Sequence, residues 1–389
     1  MLGKGKIIVS GIAFWYPLAG VTWQFVHYLL GLKRLGYDVY YVEDSYRRVY
    51  DPMTNDFITR PTANIRAIAP ILEAHGFKDK WCFRSHYPPE RCFGLSESQL
   101  TQLYQDADVF LNVTGAQEIR DEHMNIPRRI YVETDPCATQ IAAAEDSAAD
   151  EKTVEELRAH DTHFSFGENI GRLDCLLPSG PFKWLPTRQP ICLDLWQYDF
   201  PPGDNYTTIA TWKNNGRDIS YMGERYFWSK DREFEKFRKL PSLTATKIEL
   251  AAAPHSLIAD RFRKSGWRFT DPLPISRDLH RYRQYIQCSR GEFTVAKDQN
   301  IRLKSGWFSD RSACYLAAGR PVITQETGFS NHLPTGKGLF GFLTMEEILA
   351  AIEKIESDYE AASRAAREIA REYFAAEVVL KSLLARAGL

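Results

Sequence analysis

One segment in the second half of the sequence carries the residue types of an anion-binding helix start. Ser309 or Asp310 can cap the helix that follows, and Ser312 lies in its first turn. A capped helix start presents free backbone amides and the positive end of the helix dipole to an anion. Arg311 adds a guanidinium that can bind two phosphate oxygens at once. The segment therefore predicts a binding site for a diphosphate group.

The same half of the sequence holds further candidate ligands for this anion. Gly306 would let the backbone approach a bound group closely. Lys213 and Lys297 each follow an apolar strand, where either could neutralise a bound anion. Open α/β sheets bind ligands at the carboxyl ends of their strands. The loop at the end of a later apolar strand therefore adds three candidate residues, Glu326, Thr327 and Gly328.

Two carboxylates in the first half are candidates for a general base. Asp135 ends an apolar strand in VETDP, and Glu168 follows a later strand in FGEN. Taking a proton needs a carboxylate or a histidine within hydrogen-bond reach of the group that loses it. Glu133 alternates with Asp135 along the strand, so one of the two faces inward and the other outward. Asp135 is the first candidate for the catalytic base, and Glu168 is the second.

Aromatic and basic residues flank the predicted ligand site on the side of the first half. Trp15 and Tyr16 lie in the loop after the first apolar strand, where they could stack on an acceptor. Arg188 lies near the start of a segment rich in Pro, Asp and aromatic residues, at 186–205, and could reach the cleft from there. The first loop lacks the Gly-x-Gly-x-x-Gly spacing of a dinucleotide site, which weighs against a nicotinamide oxidoreductase. We expect no metal site from the sequence.

The elements that must position these residues alternate between strands and helices. The sequence begins with the strand KIIVSGIA, an amphipathic helix in WQFVHYLLGLKRLG and a second strand in YDVYYVED, which together form a βαβ unit. Later apolar runs, each ended by a polar or Gly-containing turn, are typical of parallel strands buried on both faces. A second βαβ series begins at YTTIATWK, after the Pro-rich segment. The pattern predicts two doubly wound sheets.

Length and composition agree with this organisation. A chain of 389 residues exceeds one ordinary core and predicts two domains. The 49 Lys and Arg residues balance 50 Asp and Glu residues, so no global positive field would recruit nucleic acid or an anionic membrane. The seven cysteines are scattered and form no Cys-x-x-Cys pair, which favours a reducing cytoplasm. No apolar run reaches the ~18 residues of a membrane span.

The segment SGWFSDRSACYLAAGRPVITQETG, from Ser305 to Gly328, resembles the donor-binding segment of the group 1 glycosyltransferases. A turn, a helix ending in small residues and Gly, the run Pro-Val-Ile and a Thr-Gly loop follow in the same order. The resemblance extends over nearly the whole chain and departs at one point. Many retaining members carry two glutamates around the start of this helix, whereas Gly306 and Cys314 stand here. The ribose anchor and the stereochemical outcome therefore do not follow from the resemblance.

The resemblance implies an α/β fold of the GT-B type, with two Rossmann-like domains, a cleft between them and a long C-terminal helical segment. We expect an acceptor-binding domain at 1–190, a linker at 191–205, a nucleotide-sugar-binding domain at 206–370 and a final helix at 371–389 that packs back on the first domain. Backbone amides near Ala19 and Gly20 would face the cleft.

The resemblance also implies a metal-independent, hexosyltransferase-like enzyme. A nucleoside diphosphate sugar would be its substrate, no cofactor would be needed, and the acceptor would be a small molecule, a glycan or a protein rather than a nucleic acid. Two alternatives stay open. One is a nucleotide-sugar epimerase of the same fold, and the other is a non-catalytic nucleotide-sugar-binding protein, which the missing glutamate pair favours.

Overall fold

The computed structural model describes residues 4–88, 91–145, 150–214 and 216–389. The first part of the chain contributes the strands β1 (Lys6–Ser10), β2 (Asp38–Glu43), β3 (Val49–Asp51), β4 (Asp56–Ile58), β5 (Trp81–Ser85), β6 (Arg91–Gly94), β7 (Val109–Val113), β8 (Arg128–Glu133), β9 (Thr162–Ser165) and β10 (Trp184–Pro186). The second part contributes β11 (Asn205–Ile209), β12 (Ile219–Tyr221), β13 (Glu224–Tyr226), β14 (Lys247–Ala251), β15 (Arg268–Thr270), β16 (Gly291–Thr294), β17 (Val322–Gln325) and β18 (Leu339–Phe342).

The helices alternate with these strands. Those of the first part are α1 (Ala19–Arg34), α2 (Thr62–Leu72), α3 (Glu97–Asp106), α4 (Asp121–Met124), α5 (Ala138–Ala144) and α6 (Glu151–Arg158). Those of the second part are α7 (Asp231–Lys236), α8 (Ser256–Arg263), α9 (Pro272–Ser276), α10 (Leu279–Gln287), α11 (Asp298–Arg302), α12 (Asp310–Ala317), α13 (Met345–Ser357), α14 (Tyr359–Ile369) and α15 (Ala376–Arg386).

The first sheet has the strand order β10-β9-β8-β7-β1-β2-β5-β6 among the described residues. Its strands are parallel except β6, which pairs antiparallel with β5 at the edge. The central strand β1 places Ile8 opposite Tyr40 on one side and opposite Phe110 on the other. Ile8 is fully buried because helices cover both faces of a parallel sheet. This burial explains the continuous apolar run at the start of the sequence.

The second sheet has the order β15-β14-β11-β16-β17-β18, and all its pairings are parallel. The first sheet ends at Pro186 and the second begins at Asn205, so the connecting segment 187–204 overlaps the predicted linker. Two antiparallel hairpins, β3–β4 and β12–β13, were not expected from the sequence. The molecule thus has the mixed α/β architecture of two Rossmann-like sheets.

The end of the chain packs on the first sheet's layer of helices. The predicted continuous helical stretch is divided, because Asp358 caps α14 through the amide of Ala361. Helix α15 packs against α1 at Gly31, where an added Cβ would lie 2.5 Å from a methyl of Leu380. Both helices contribute to one hydrophobic core with β1. None of the described helices is both long and apolar enough to span a bilayer.

Candidate active site at the junction of the two sheets

Loops at the carboxyl ends of both sheets meet and exchange hydrogen bonds, and we call this region the junction. The indole nitrogen of Trp307, in the second half, donates to the carbonyl of Thr134 at 3.0 Å. Asn169, from the loop after β9, donates its amide to the carbonyls of Lys304 and Gly328 at 3.0 and 3.1 Å. The topology therefore brings the predicted residues of both halves to one place, as the carboxyl-end rule expects.

Asp135 and Lys297 form an ion pair across the junction. The Nζ of Lys297 lies 2.6 Å from Oδ2 of Asp135, while Oδ1 is buried without a hydrogen-bond partner among the described residues. The Lys297 ammonium also lies 3.2 Å from the ring centroid of Trp228. Burial lowers the pKa of Lys297, and the charge of Asp135 opposes that change. Glu133 points into the fold, as the alternation requires, and burial raises its pKa to about 7.

Lys230 is a buried cation that sequence reasoning missed. It immediately precedes α7 and is 8% exposed, and its ammonium has no hydrogen bond or ion pair within the described ranges. Burial lowers its pKa well below the ordinary value, the charges of Arg311 and Lys297 add to the effect, and the carboxylates of Glu292 and Asp135 oppose it. Because burial disfavours the charged form of a lysine that has no direct ion pair, an anionic ligand beside it would stabilise that form. The sequence shows only a lysine at the start of the segment KDREFEKFRKL, and this pattern does not indicate that its side chain is buried.

The guanidinium of Arg311 forms hydrogen bonds within the second half of the chain. It is therefore not the free cation that the sequence predicts at the start of α12. Its Nε donates to Glu292 at 2.6 Å, and its other nitrogens donate to the carbonyl of Ile209 and the hydroxyl of Thr294 at 2.7 and 3.0 Å. Glu292 is fully buried and requires a counter-ion, which explains why the guanidinium turns inward. A direct phosphate contact by Arg311 stays a prediction, and the geometry instead supports a role in joining β11 to β16.

The start of α12 keeps several features of an anion site. Ser309 has the extended backbone of an N-cap, yet its side chain accepts no capping hydrogen bond. The hydroxyl of Ser312 is buried without a partner among the described residues. Burial raises the pKa of Asp310 to about 7, and the nearby charge of Asp135 adds to the rise. Because its pKa lies near neutrality, the carboxyl group of Asp310 is a further candidate for proton transfer, besides Asp135 and Glu168.

The two glycines predicted to approach a ligand instead approach Asn169. A Cβ at Gly306, whose φ is +79°, would lie 2.7 Å from the backbone nitrogen of Asn169, and Gly328 faces the amide of the same side chain. Glu326 accepts from the amide of Gly328 at 2.6 Å, and Thr327 donates to the carbonyl of Trp307 at 2.6 Å. This loop therefore fixes the junction, and donor binding by its residues stays a prediction.

The remaining predicted residues lie around the junction in different settings. Arg188 donates to Glu168 at 2.5 Å, and burial raises the pKa of Glu168 against the effect of that charge. The pair attaches the end of β9 to the connecting segment. Ala19 is buried and Gly20 packs against Tyr282 of α10, so neither presents an open backbone. Lys213 is exposed, and its side chain forms no hydrogen bond or ion pair with the described residues.

The loop after β1 is held by a buried carboxylate. Glu43, at the end of β2, accepts from the amides of Phe14 and Trp15 at 2.6 and 2.9 Å. Trp15 and Tyr16 remain partly exposed, with their ring centroids 4.7 Å apart. This geometry leaves both rings available for stacking on a second substrate.

A cavity of about 470 Å³ lies beside Lys230 in the second half. Two aromatic residues, Trp212 and Phe227, line it together with charged residues of both signs. The carboxylates are Asp231, Glu233, Glu235 and Asp298, and the basic residues are Arg232, Lys236 and Arg261. Aromatic rings can stack on a base, and carboxylates accept hydrogen bonds from ribose hydroxyls. The cavity therefore has the chemistry of a nucleoside site next to an anion site.

The side chains of Asp44, Glu122 and His123 lie close enough together to share a cation. Arg84 and Arg120, however, form ion pairs with both carboxylates. Two guanidinium groups at this position oppose a metal ion. Metal independence stays a prediction.

No family model matches the sequence, and no curated protein matches it. Solved structures do match over nearly the full length. An alpha-glucosyltransferase in complex with UDP and a 13-mer DNA is 12% identical, with a TM-score of 0.57 and 100% of both chains covered. AviGT4, a glycosyltransferase involved in avilamycin A biosynthesis, is 11% identical, with a TM-score of 0.55, 99% of this chain and 97% of that chain covered.

Anabaena HepE, in complex with UDP and glucose, is 10% identical, with a TM-score of 0.54, 99% of this chain and 100% of that chain covered. These similarities agree with the two Rossmann-like sheets and with the carboxyl ends that face each other. The expectation of a GT-B architecture is confirmed. The chain has the GT-B fold of the glycosyltransferases to which it is similar.

Proposed function

We propose that the protein is a glycosyltransferase that moves a sugar from a nucleoside diphosphate donor to a hydroxyl of an acceptor. The observation that carries the proposal is Lys230, a buried lysine without a direct ion pair among the described residues, which immediately precedes the residues that line a nucleoside-sized cavity. A diphosphate supplies the missing negative charge, and the adjoining cavity accommodates the nucleoside. The GT-B fold supports this arrangement, and the UDP in the complexes of HepE and the alpha-glucosyltransferase makes UDP-sugars the first donors to test.

The proposed chemistry uses Asp135 as the proton acceptor. The acceptor oxygen forms a bond to the anomeric carbon of the sugar, and the bond from that carbon to the donor phosphate breaks. The hydroxyl proton passes to Oδ1 of Asp135, the carboxylate oxygen that lacks a partner among the described residues. The leaving diphosphate keeps the bonding electron pair, and Lys230 stabilises its charge. Lys297 holds Oδ2 and so orients the carboxylate.

A donor-panel assay tests the reaction. Purified protein is incubated with UDP-, GDP- and dTDP-sugars, with and without candidate acceptors, and released nucleoside diphosphate is measured. We expect release that depends on an acceptor. Conversion of a donor alone to its epimer would support the epimerase alternative, and donor binding without any turnover would support the non-catalytic alternative. Either result would contradict the proposal.

A further inference from the structure

Four aromatic rings at the loop after β1 form a partly exposed cluster. We call them the aromatic cluster: Trp15, Tyr16, Tyr50 and Phe57. The Tyr16 ring centroid lies 5.4 Å from that of Tyr50 and 5.8 Å from that of Phe57. Phe57 is 40% exposed, and the other three rings are partly exposed. The cluster thus presents an apolar face that can stack on a sugar ring.

Two guanidinium groups from different halves of the chain lie over tryptophan rings, one in this cluster and one beside Lys297. Arg47, which follows β2, lies 4.4 Å above the Trp15 ring. Arg217, which precedes the hairpin β12–β13, lies 5.1 Å from the Trp228 ring. Within the part of the chain that the structure describes, neither forms a hydrogen bond or an ion pair. Both side chains are accessible to solvent.

The charges of Arg47 and Arg217 both act on the phenol of Tyr16. Burial raises the pKa of Tyr16, and the charges of Arg217 and Arg47 oppose that rise. Burial lowers the pKa of Arg47, the carboxylate of Glu156 opposes that change, and the charge of Arg217 adds to it. Arg217 also acts on Lys297, which connects this region to the proposed catalytic pair. The two guanidinium charges repel each other, and an anion between them relieves the repulsion.

We propose that the acceptor is a sugar that carries one anionic group, a phosphate or a carboxylate. Its ring stacks on the aromatic cluster, and its anionic group is held by Arg47 and Arg217. The proposal rests on the proposed function, because it assigns the acceptor of the same reaction. It also gives a reason for pairing the two halves at this point, since each half contributes one of the two cations.

The surrounding charges favour a single anionic group over a polyanion. The carboxylates of Glu118 and Glu156 act on Arg47, so they lie near it and would repel a second phosphate. A nucleic acid backbone requires a run of cations along its path, whereas this chain has a net charge of −1. The observations therefore favour a sugar phosphate or an acidic sugar over a nucleic acid acceptor.

Titration calorimetry on the UDP-saturated protein tests the proposal. The probes are glucose, glucose 6-phosphate, glucuronate and inorganic phosphate, with a short single-stranded oligonucleotide as the competing class. We expect at least one anionic sugar to bind about tenfold or more tightly than glucose, because hydrogen bonds to charged groups contribute ~1.5–3 kcal/mol. Inorganic phosphate should compete with that sugar. The comparison of glucose 6-phosphate with glucuronate distinguishes phosphate from carboxylate.

Variants assign the binding to the two arginines. Arg47→Ala and Arg217→Ala should each weaken binding of the anionic sugar about tenfold or more, with a melting temperature near that of the wild type. Arg48→Ala is the matched control, because Arg48 is the exposed neighbour of Arg47 and its side chain forms no hydrogen bond or ion pair within the described residues. The control should bind like the wild type.

Several results would overturn the acceptor assignment. They are equal affinity for glucose and the anionic sugars, no binding of any anionic probe, or equal losses in Arg48→Ala and Arg47→Ala. Tight binding of the oligonucleotide alone, lost in Arg47→Ala, would replace the sugar with a nucleic acid. Titration of UDP into the free protein separates the two proposals. If UDP fails to bind while the anionic sugar still binds through Arg47, the proposed function fails and the anion site remains.

Discussion

The ammonium of Lys297 lies 2.6 Å from one carboxylate oxygen of Asp135, and this contact joins the loop after β16 to the loop after β8. The two residues come from different sheets and meet only because the carboxyl ends of both sheets face each other. The second oxygen of Asp135 has no partner among the described residues. The contact therefore leaves one oxygen of an oriented carboxylate for chemistry.

Asp135→Asn should separate binding from turnover. The amide keeps the size of the side chain but cannot accept the proton, so transfer should fall by ~10² to 10⁴, the usual effect of losing a general base. The affinity for UDP should change little. Turnover per folded molecule and calorimetry on the same preparation provide the measurement.

Glu168→Gln is the control for Asp135→Asn, because Glu168 contacts Arg188 and the connecting segment. We expect this change to lower the melting temperature more than the turnover. If Glu168→Gln abolishes turnover and Asp135→Asn does not, the assignment of the base is wrong.

Arg311→Ala should destabilise the second half. The change leaves Glu292 buried without its counter-ion, and breaking a buried pair costs about 3–5 kcal/mol. Urea unfolding of the variant gives the loss of free energy. The double variant Arg311→Met, Glu292→Gln should recover part of the loss, because no buried charge remains unpaired. Wild-type stability of Arg311→Ala, together with a weaker affinity for UDP, would show instead that Arg311 binds phosphate.

The raised pKa of Asp310 should make the free energy of unfolding decrease as pH rises. Burial raises its pKa from 3.8 to about 7 in the folded protein. Between these values the folded state holds a proton that the unfolded state has released, so folding becomes less favourable as pH increases through this window. Other buried acids such as Glu133 contribute in the same direction, so the wild type must be compared with Asp310→Asn.

Melting temperatures from pH 4 to pH 8 provide that comparison, and the variant should show the flatter profile. Parallel profiles for the two proteins would mean that Asp310 titrates normally. The same pair of proteins tests the alternative base. If Asp310 takes the proton during transfer, Asp310→Asn abolishes turnover as Asp135→Asn is expected to do.

Gly31→Ala should disturb the packing of α15 on α1. The added methyl would lie 2.5 Å from a methyl of Leu380 and 2.9 Å from the Cβ of Ala376, so the helices must separate. Overpacking of this kind typically costs about 1–3 kcal/mol. Chemical denaturation measures the loss, and Leu380→Ala in the Gly31→Ala background should recover part of it. No loss in the single variant would show that the two helices are loosely packed.

The sequence predicts the sheets better than the site. Ile8 and its neighbours form an apolar run because helices bury both faces of β1, so the strand leaves a local pattern. Asn169 leaves none, because its partner Gly328 lies 159 residues away. Arg311 was correctly placed near a helix start, but its buried partner Glu292 comes from another strand. Lys230 leaves no local pattern either, since the burial of its side chain depends on packing between distant segments.

Titration of UDP into the wild type and Lys230→Met tests the central claim most directly. Methionine keeps the length and the apolar stem of the side chain but removes the cation. The account predicts saturable binding to the wild type, about tenfold or more weaker binding to Lys230→Met, and unchanged binding to Lys264→Met, which alters an exposed lysine at the end of α8. Equal UDP affinity for the wild type and Lys230→Met, or no UDP binding to the wild type, would contradict it.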